Sequence, residues 1–222
     1  MKTNLFFYLS IMLTAMIVCS CDEHEPLDNN IYVGFILTDD HQAVSLQSYE
    51  AASKNNAVGV IFATHTAEHP MLAVMLNEMQ DLQFSDSLGF VQGTSADITS
   101  YDGFVNTASL QNTFDEKTGH GSPLADAVFR YHHYGQSDYI PSVSEMRLLV
   151  NALPVVNPVI ERLHGTPISQ SHADCWYWTS TEVEENRGNQ AWLLSAANGA
   201  VQETPKDEYH PARAIVALNY QP

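Results

Sequence analysis

The stretch CWYWTST, residues 175–181, indicates most clearly what kind of fold this chain adopts. It is rich in aromatic and β-branched residues, which favour the extended conformation of a β-strand. Alternate residues of a strand share a face, so Trp176 and Trp178 point to one side of the predicted sheet. A tryptophan buries a large apolar surface, and we therefore expect Trp178 and Trp192 to anchor a core.

Downstream of this stretch, the pattern predicts a cluster of β-strands that ends the chain. Residues 190–196 (QAWLLSA) form the next predicted strand, and Asn198-Gly199 is typical of a type I′ hairpin turn. The turn leads into residues 200–203, and residues 212–219 (ARAIVALN) form a closing apolar strand. We therefore expect terminal β-hairpins.

Upstream, apolar runs predict further strands, separated by polar segments. Residues 31–38 and 58–64 are predicted strands, whereas MLAVML, residues 71–76, fits either a strand or a helix. Residues 48–55 indicate a short helix or turn. Residues 85–103, rich in Ser, Asp, Gly and Thr, indicate a loop with at most one short strand.

The middle of the chain carries the start signals of three helices. Ser122-Pro123 places an N-cap before a proline at the first helical position. Ser142 and Glu145 form a capping box, and Asn157-Pro158 predicts a third, shorter helix that ends at Gly165. Strands at both ends and helices between them predict a single α+β domain with about three short helices.

The N-terminal residues resemble a bacterial lipoprotein signal. Lys2 precedes an apolar run over residues 5–18, which is too short for a comfortable membrane span and ends at Cys21 in a lipobox-like sequence. We expect residues 1–20 to be removed and Cys21 to carry lipid chains in the outer membrane. Residues 21–30 then form a polar tether, and residues 31–222 form the domain. The acidic run after Cys21 resembles signals for export to the cell surface.

Charge and cysteine content exclude several classes of protein. Removal of residues 1–20 takes away only one charged side chain, leaving 8 basic and 26 acidic residues and a formal charge of −18. Such a chain repels phosphate backbones, so nucleic acid is not an expected partner. Cys175 is the one cysteine beyond the lipobox, which excludes a disulfide framework within the domain. No sequence pattern indicates a cofactor.

The segment HTAEH, residues 65–69, matches the H-x-x-E-H pattern of certain zinc peptidases. A zinc site needs both histidines on one face of a helix, with the glutamate activating a bound water. Here the segment directly follows a predicted strand, and Pro70 disfavours helical backbone at His69. A loop with solvated histidines explains these residues better, and a zinc-dependent hydrolase is the third of our three hypotheses.

Several motifs in order resemble the collagen-like-adhesin C-terminal domain family, found in bacterial surface lipoproteins and fimbrial-tip-like proteins. The resemblance spans about residues 31–220. Its motifs are GVIF (59–62), LAVML (72–76), DGFVNT (102–107), YIPSVSEM (139–146), YWTSTE (177–182), AW (191–192), Gly199, Lys206 and ARAI (212–215). The resemblance implies a C-type lectin-like domain that binds ligands with the loops between its terminal strands.

The chain also departs from the related groups in ways that limit this inference. Asp138, Tyr139 and Ile140 replace the tryptophan-leucine pattern that often precedes the Pro-Ser turn. The reactive cysteine pair of formylglycine-generating enzymes and the calcium motifs of animal lectins are absent from the sequence. Neither oxidative catalysis nor calcium-dependent sugar binding is therefore implied.

The first functional hypothesis is a lipid-anchored, non-enzymatic surface protein that recognises a glycan or a protein in an adhesin-like manner. Loops held by a rigid sheet are the usual place for binding residues. The candidate ligand-binding residues are Glu184, Asn186, Arg187, Asn189, Lys206, Tyr209 and His210. The second hypothesis is a structural tip or accessory subunit of a surface appendage, whose partners are other subunits.

Overall fold

A computed structural model describes residues 30–40, 42–52, 55–129, 132–133 and 136–218. Residues Ile31–Pro222 form one compact unit. The predicted signal peptide, the predicted lipidation site Cys21 and most of the predicted tether lie outside the described residues. Within them the domain combines strands and helices, so the α+β class is confirmed.

The described residues form four helices and twelve strands. The helices are α1 (Leu46–Ala52), α2 (Gly103–Gln111), α3 (Pro123–Phe129) and α4 (Val143–Arg162). The first six strands are β1 (Ile36–Thr38), β2 (Ala43–Val44), β3 (Ala57–Ala63), β4 (Met71–Met75), β5 (Met79–Gln83) and β6 (His132–His133). The others are β7 (Gln136–Ser137), β8 (Trp176–Glu182), β9 (Gln190–Ser195), β10 (Val201–Pro205), β11 (Tyr209–Ala212) and β12 (Ile215–Leu218).

An antiparallel sheet of five strands in the order β12-β4-β3-β1-β2 runs through the centre of the domain. Alternate residues of β3 and β4 face two separate cores, since Val60 and Val74 belong to one cluster and Ile61 and Ala73 to the other. A strand buried on both faces has no polar alternation. This explains why the sequence of residues 71–76 is compatible with both a strand and a helix.

The longest helix, α4, corrects the prediction of a separate third helix. Asn157-Pro158 opens no new helix, because Pro154 and Pro158 both lie inside one continuous helix of 20 residues. The prolines are exposed, while Met146, Leu149 and Leu153 continue a buried stripe towards Ile160 on the opposite face. Packing of that stripe outweighs the cost of two prolines in a helix.

The start and the surroundings of α4 agree with the sequence signals. Ser142 accepts a hydrogen bond from the backbone of Glu145, and the Glu145 side chain accepts one from the backbone of Ser142, which confirms the capping box. By length and composition α4 could cross a membrane, but 56% of its most apolar window is buried in the domain. It is therefore a core helix of this fold.

The C-terminal strands form a second antiparallel sheet in the order β10-β9-β8. Trp178 is fully buried, as predicted, and Trp192 is partly buried against the core. The prediction of a type I′ turn is wrong. Such a turn needs positive φ at both central residues, and of the two only Gly199 has it, with φ 74°. Residues 196–200 form a longer loop, and a longer loop does not need positive φ at two successive residues.

Two other local predictions also need correction. The predicted strand over residues 31–38 is shortened to Ile36–Thr38, because a turn with Gly34 at φ 93° precedes it. The sequence also predicts helical backbone at His132–His133, but these two residues form a short strand instead. The helix option for residues 48–55 corresponds to α1, and the loop prediction for residues 85–103 is confirmed, since described residues 84–102 contain no helix or strand.

Candidate binding site formed by two loops

The site begins at a β-bulge near the end of β8. Trp178 pairs with Leu193, but Glu182 pairs with Ala191, so β8 uses two more residues than β9 over this interval. A bulge of this kind bends a strand and redirects its side chains. Here it accompanies a carboxylate, that of Glu182, which is fully buried.

The negative charge of the buried Glu182 carboxylate is stabilised by donors from three parts of the chain. Its Oε1 accepts from Lys206 Nζ at 2.6 Å and from the Gln92 backbone N–H at 2.7 Å. Its Oε2 accepts from Thr94 Oγ1 at 3.1 Å and lies 3.5 Å from Arg187 Nη2. A buried charge is tolerated only with such partners, so this cluster is a structural anchor.

Lys206 does not face a ligand, which corrects its place among the candidate residues. Its side chain is fully buried, and its ammonium also donates to the carbonyl oxygens of Phe90 and Arg187 and to the Gln92 side chain. Burial lowers the pKa of Lys206, while the hydrogen bond and the charge of Glu182 oppose that shift. Lys206 therefore holds the loops together through these hydrogen bonds.

The anchor joins two loops, residues 86–94 and residues 183–189, which we call the two-loop site. The Gly89 backbone N–H donates to the carbonyl oxygen of Gly188 at 2.9 Å and to Asn189 Oδ1 at 3.1 Å. Arg187 Nη2 also donates to the carbonyl oxygen of Thr94. The loops are thus tied together by backbone hydrogen bonds as well as by the buried charges.

The first loop presents apolar side chains to solvent. Leu88, Phe90 and Val91 are 43%, 59% and 57% exposed. Three neighbouring exposed apolar side chains on an anchored loop are typical of an interaction surface. The sequence does not single them out, because Ser, Asp, Gly and Thr dominate the segment. The signal it contains is the apolar sequence LGFV inside a predicted loop.

The structure separates the other six predicted site residues into two groups. Glu184, Asn186, Arg187 and Asn189 all lie in the second loop, around a 3₁₀ turn at Glu184–Asn186. Glu184 and Asn189 are exposed, whereas Asn186 and Arg187 are half-buried. These four residues therefore share one loop, and their role in ligand binding stays a prediction.

The remaining predicted residues lie on strand β11 instead. Tyr209 is 64% exposed and pairs with Gln83 of β5, while His210 pairs with Leu82. The His210 ring also packs edge-on against Trp178, with the ring centroids 5.4 Å apart. His210 is therefore half-buried against the core, and Tyr209 is the exposed side chain of this pair.

The HTAEH segment does not have the geometry of a zinc helix. Residues 64–70 form the connection between β3 and β4, with no helical backbone. His69 is buried, its Nδ1 lies 2.9 Å from the Pro70 carbonyl oxygen, and its ring packs on Tyr101. Within the described part of the chain, no group of three His, Cys, Asp or Glu residues could hold a metal ion.

Comparison with known proteins gives a fold-level likeness. No protein-family model matches the sequence, and no curated protein matches it. The fold is similar to that of a fimbrial protein from Bacteroides ovatus, with a TM-score of 0.60 and 15% identity. The match covers 85% of this chain and 49% of that one, so this chain spans about half its length. The domain therefore has a fimbrial-like fold, and the C-type lectin-like assignment stays a prediction.

Proposed function

We propose that this chain is a non-enzymatic accessory or tip subunit of a bacterial surface appendage. The observation that carries the proposal is the likeness of its fold to a fimbrial protein over 85% of the chain. The lipobox-like sequence ending at Cys21 supports a lipid anchor in the outer membrane, with the domain exposed at the cell surface. Other appendage subunits are then its expected partners.

The two-loop site is the part of the domain that we assign to partner binding. Interface centres are enriched in aromatic and apolar side chains, and Leu88, Phe90 and Val91 supply such side chains. The buried Glu182–Lys206 pair holds the loop backbone, which reduces the ordering cost of binding. Membership of the collagen-like-adhesin C-terminal domain family is part of this proposal and rests on the ordered motifs.

Adhesin-like recognition of a glycan or a host protein is the second candidate function. The exposed rings of Phe90 and Tyr209 favour it, since aromatic faces provide large contact areas at low entropic cost. Glu184 and Asn189 add exposed polar groups of the kind that orient a ligand. Binding to a glycan array with no appendage subunit in the purified material would favour this function.

Purification from detergent extracts of the native cells tests the primary proposal. We expect an appendage protein to co-purify in stoichiometric amount, and Phe90→Ser to lower its recovery. Val155→Ser is the matched control, because Val155 is similarly exposed but lies on helix α4. A monodisperse monomer that carries no appendage protein would contradict the proposal.

A further inference from the structure

The two-loop site continues into a third loop, about 30 residues away in sequence from the first loop. The Asp86 backbone N–H donates to the carbonyl oxygen of Gly121 at 3.1 Å, and the Gly121 N–H donates to Asp86 Oδ1 at 3.0 Å. Gly121 ends a small hairpin in which Asp115 and His120 form a β-bridge. We call residues 86–94, 113–121 and 183–189 together the three-loop face.

A groove of about 650 Å³ lies where the first and third loops meet helices α2 and α3. Leu110, Phe114 and Pro123 supply apolar lining, and Asp86 and Asp126 supply carboxylates. Phe114 is 57% exposed, so its ring presents an apolar surface at this groove. The face therefore combines an apolar loop with a groove that has both apolar and acidic walls.

The charges of this face are mostly negative. Its exposed acidic residues are Asp115, Glu116, Glu184 and Glu185. Lys117 is exposed, whereas the half-buried Arg187 already contacts Glu182, Glu184 and the Thr94 carbonyl oxygen. A partner surface that meets these groups gains from positive charge around an apolar centre.

We infer that the three-loop face docks a protein segment whose apolar side chains are flanked by lysine or arginine. Apolar side chains of the segment cover Phe90, Val91 and the groove beside Phe114, and its cations meet the carboxylates. A second copy of this chain would place like charges opposite each other, and an anionic membrane surface would be repelled in the same way. The inference rests on the proposed function only for the identity of the partner as an appendage subunit.

Photo-crosslinking in the native cells tests this inference with the full chain. A benzophenone amino acid replaces Phe90 and, as a control, Val155 on helix α4. We expect the probe at position 90 to label one protein segment that contains apolar residues between Lys or Arg, and the probe at 155 not to label it. Labelling of an acidic or uncharged segment, a second copy, a lipid or nothing would overturn the inference.

Charge reversal supplies an independent test of the same face. Glu184→Lys combined with Glu185→Lys should lower the yield of the position-90 adduct at least about tenfold, because both cations would oppose the basic partner. Glu161→Lys is a control for charge reversal outside the face, since Glu161 is exposed near the end of α4. An unchanged or raised adduct yield in the double variant would contradict the inference.

The two proposals fail in distinguishable ways. If the labelled basic-apolar segment belongs to a protein outside any appendage, the docking chemistry stands and the proposed function fails. If appendage subunits co-purify but the probe at position 90 labels nothing, the proposed function stands and the three-loop face is wrong.

Discussion

Glu145 is a residue whose local role was predictable from sequence and whose ionisation was not. Its capping-box partner, Ser142, is three residues away, so the pattern is visible in the chain. The Tyr139 hydroxyl also donates to Glu145 Oε1 at 3.2 Å, and burial raises the pKa of Glu145 to about 7. That burial arises from tertiary packing, which a local pattern does not contain.

Glu145→Gln should flatten part of the pH dependence of stability. The folded state holds the Glu145 proton more tightly than the unfolded state, so its contribution is fully present below about pH 4.5 and is lost as pH rises to about 7. The loss between pH 5 and pH 8 is about 2–3 kcal/mol in the free energy of unfolding. Glutamine preserves the capping box and has no proton to lose.

Urea unfolding at both pH values measures this effect, and the wild-type protein provides the reference for all other titrating groups. The pH profiles of the two proteins should diverge by that amount. Parallel profiles would show that Glu145 titrates normally in the folded protein.

Lys206→Met should destabilise the domain by about 3–5 kcal/mol, because it leaves the buried Glu182 carboxylate without its cation. Equilibrium urea unfolding gives the free energy directly. Lys117→Met is the matched control, and as an exposed substitution it should change stability by no more than about 0.5 kcal/mol. A loss below about 1 kcal/mol for Lys206→Met would mean that the pair does not anchor the loops.

At the scale of elements, helices and strands were predictable where one local pattern dominates. Ser122 caps α3 by accepting from the Ala125 N–H at 3.1 Å, as the Ser-Pro signal indicated. The prediction of a separate helix at Asn157-Pro158 was wrong, because the exposed prolines of α4 do not interrupt its buried stripe. The two-loop site was only half predictable, since Glu182 and Gln92 are 90 residues apart in sequence.

Pro158→Ala should stabilise α4 by about 1–3 kcal/mol, because alanine restores an N–H that can donate to the carbonyl oxygen of Pro154. Thermal or urea unfolding measures the change. Asn151→Ala, at another exposed position of the helix, reports the smaller gain from helix propensity alone. Destabilisation by Pro158→Ala would show that the backbone conformation at the proline is required for packing.

At the scale of the whole molecule, the sequence predicted the α+β class but not the sheet order. Strand β12, at the end of the chain, pairs with β4, and Ile215 forms a bridge with Tyr139. Such pairings join residues far apart in sequence, and no local periodicity specifies them. The division into two cores on opposite faces of one sheet follows from this arrangement.

Protease treatment of intact cells, with a lysed control and an antibody against the domain, tests the central claim most directly. A surface-exposed appendage subunit should be digested on intact cells to the same extent as after lysis. Protection of the domain until the cells are lysed would place it inside the envelope and contradict the proposed function.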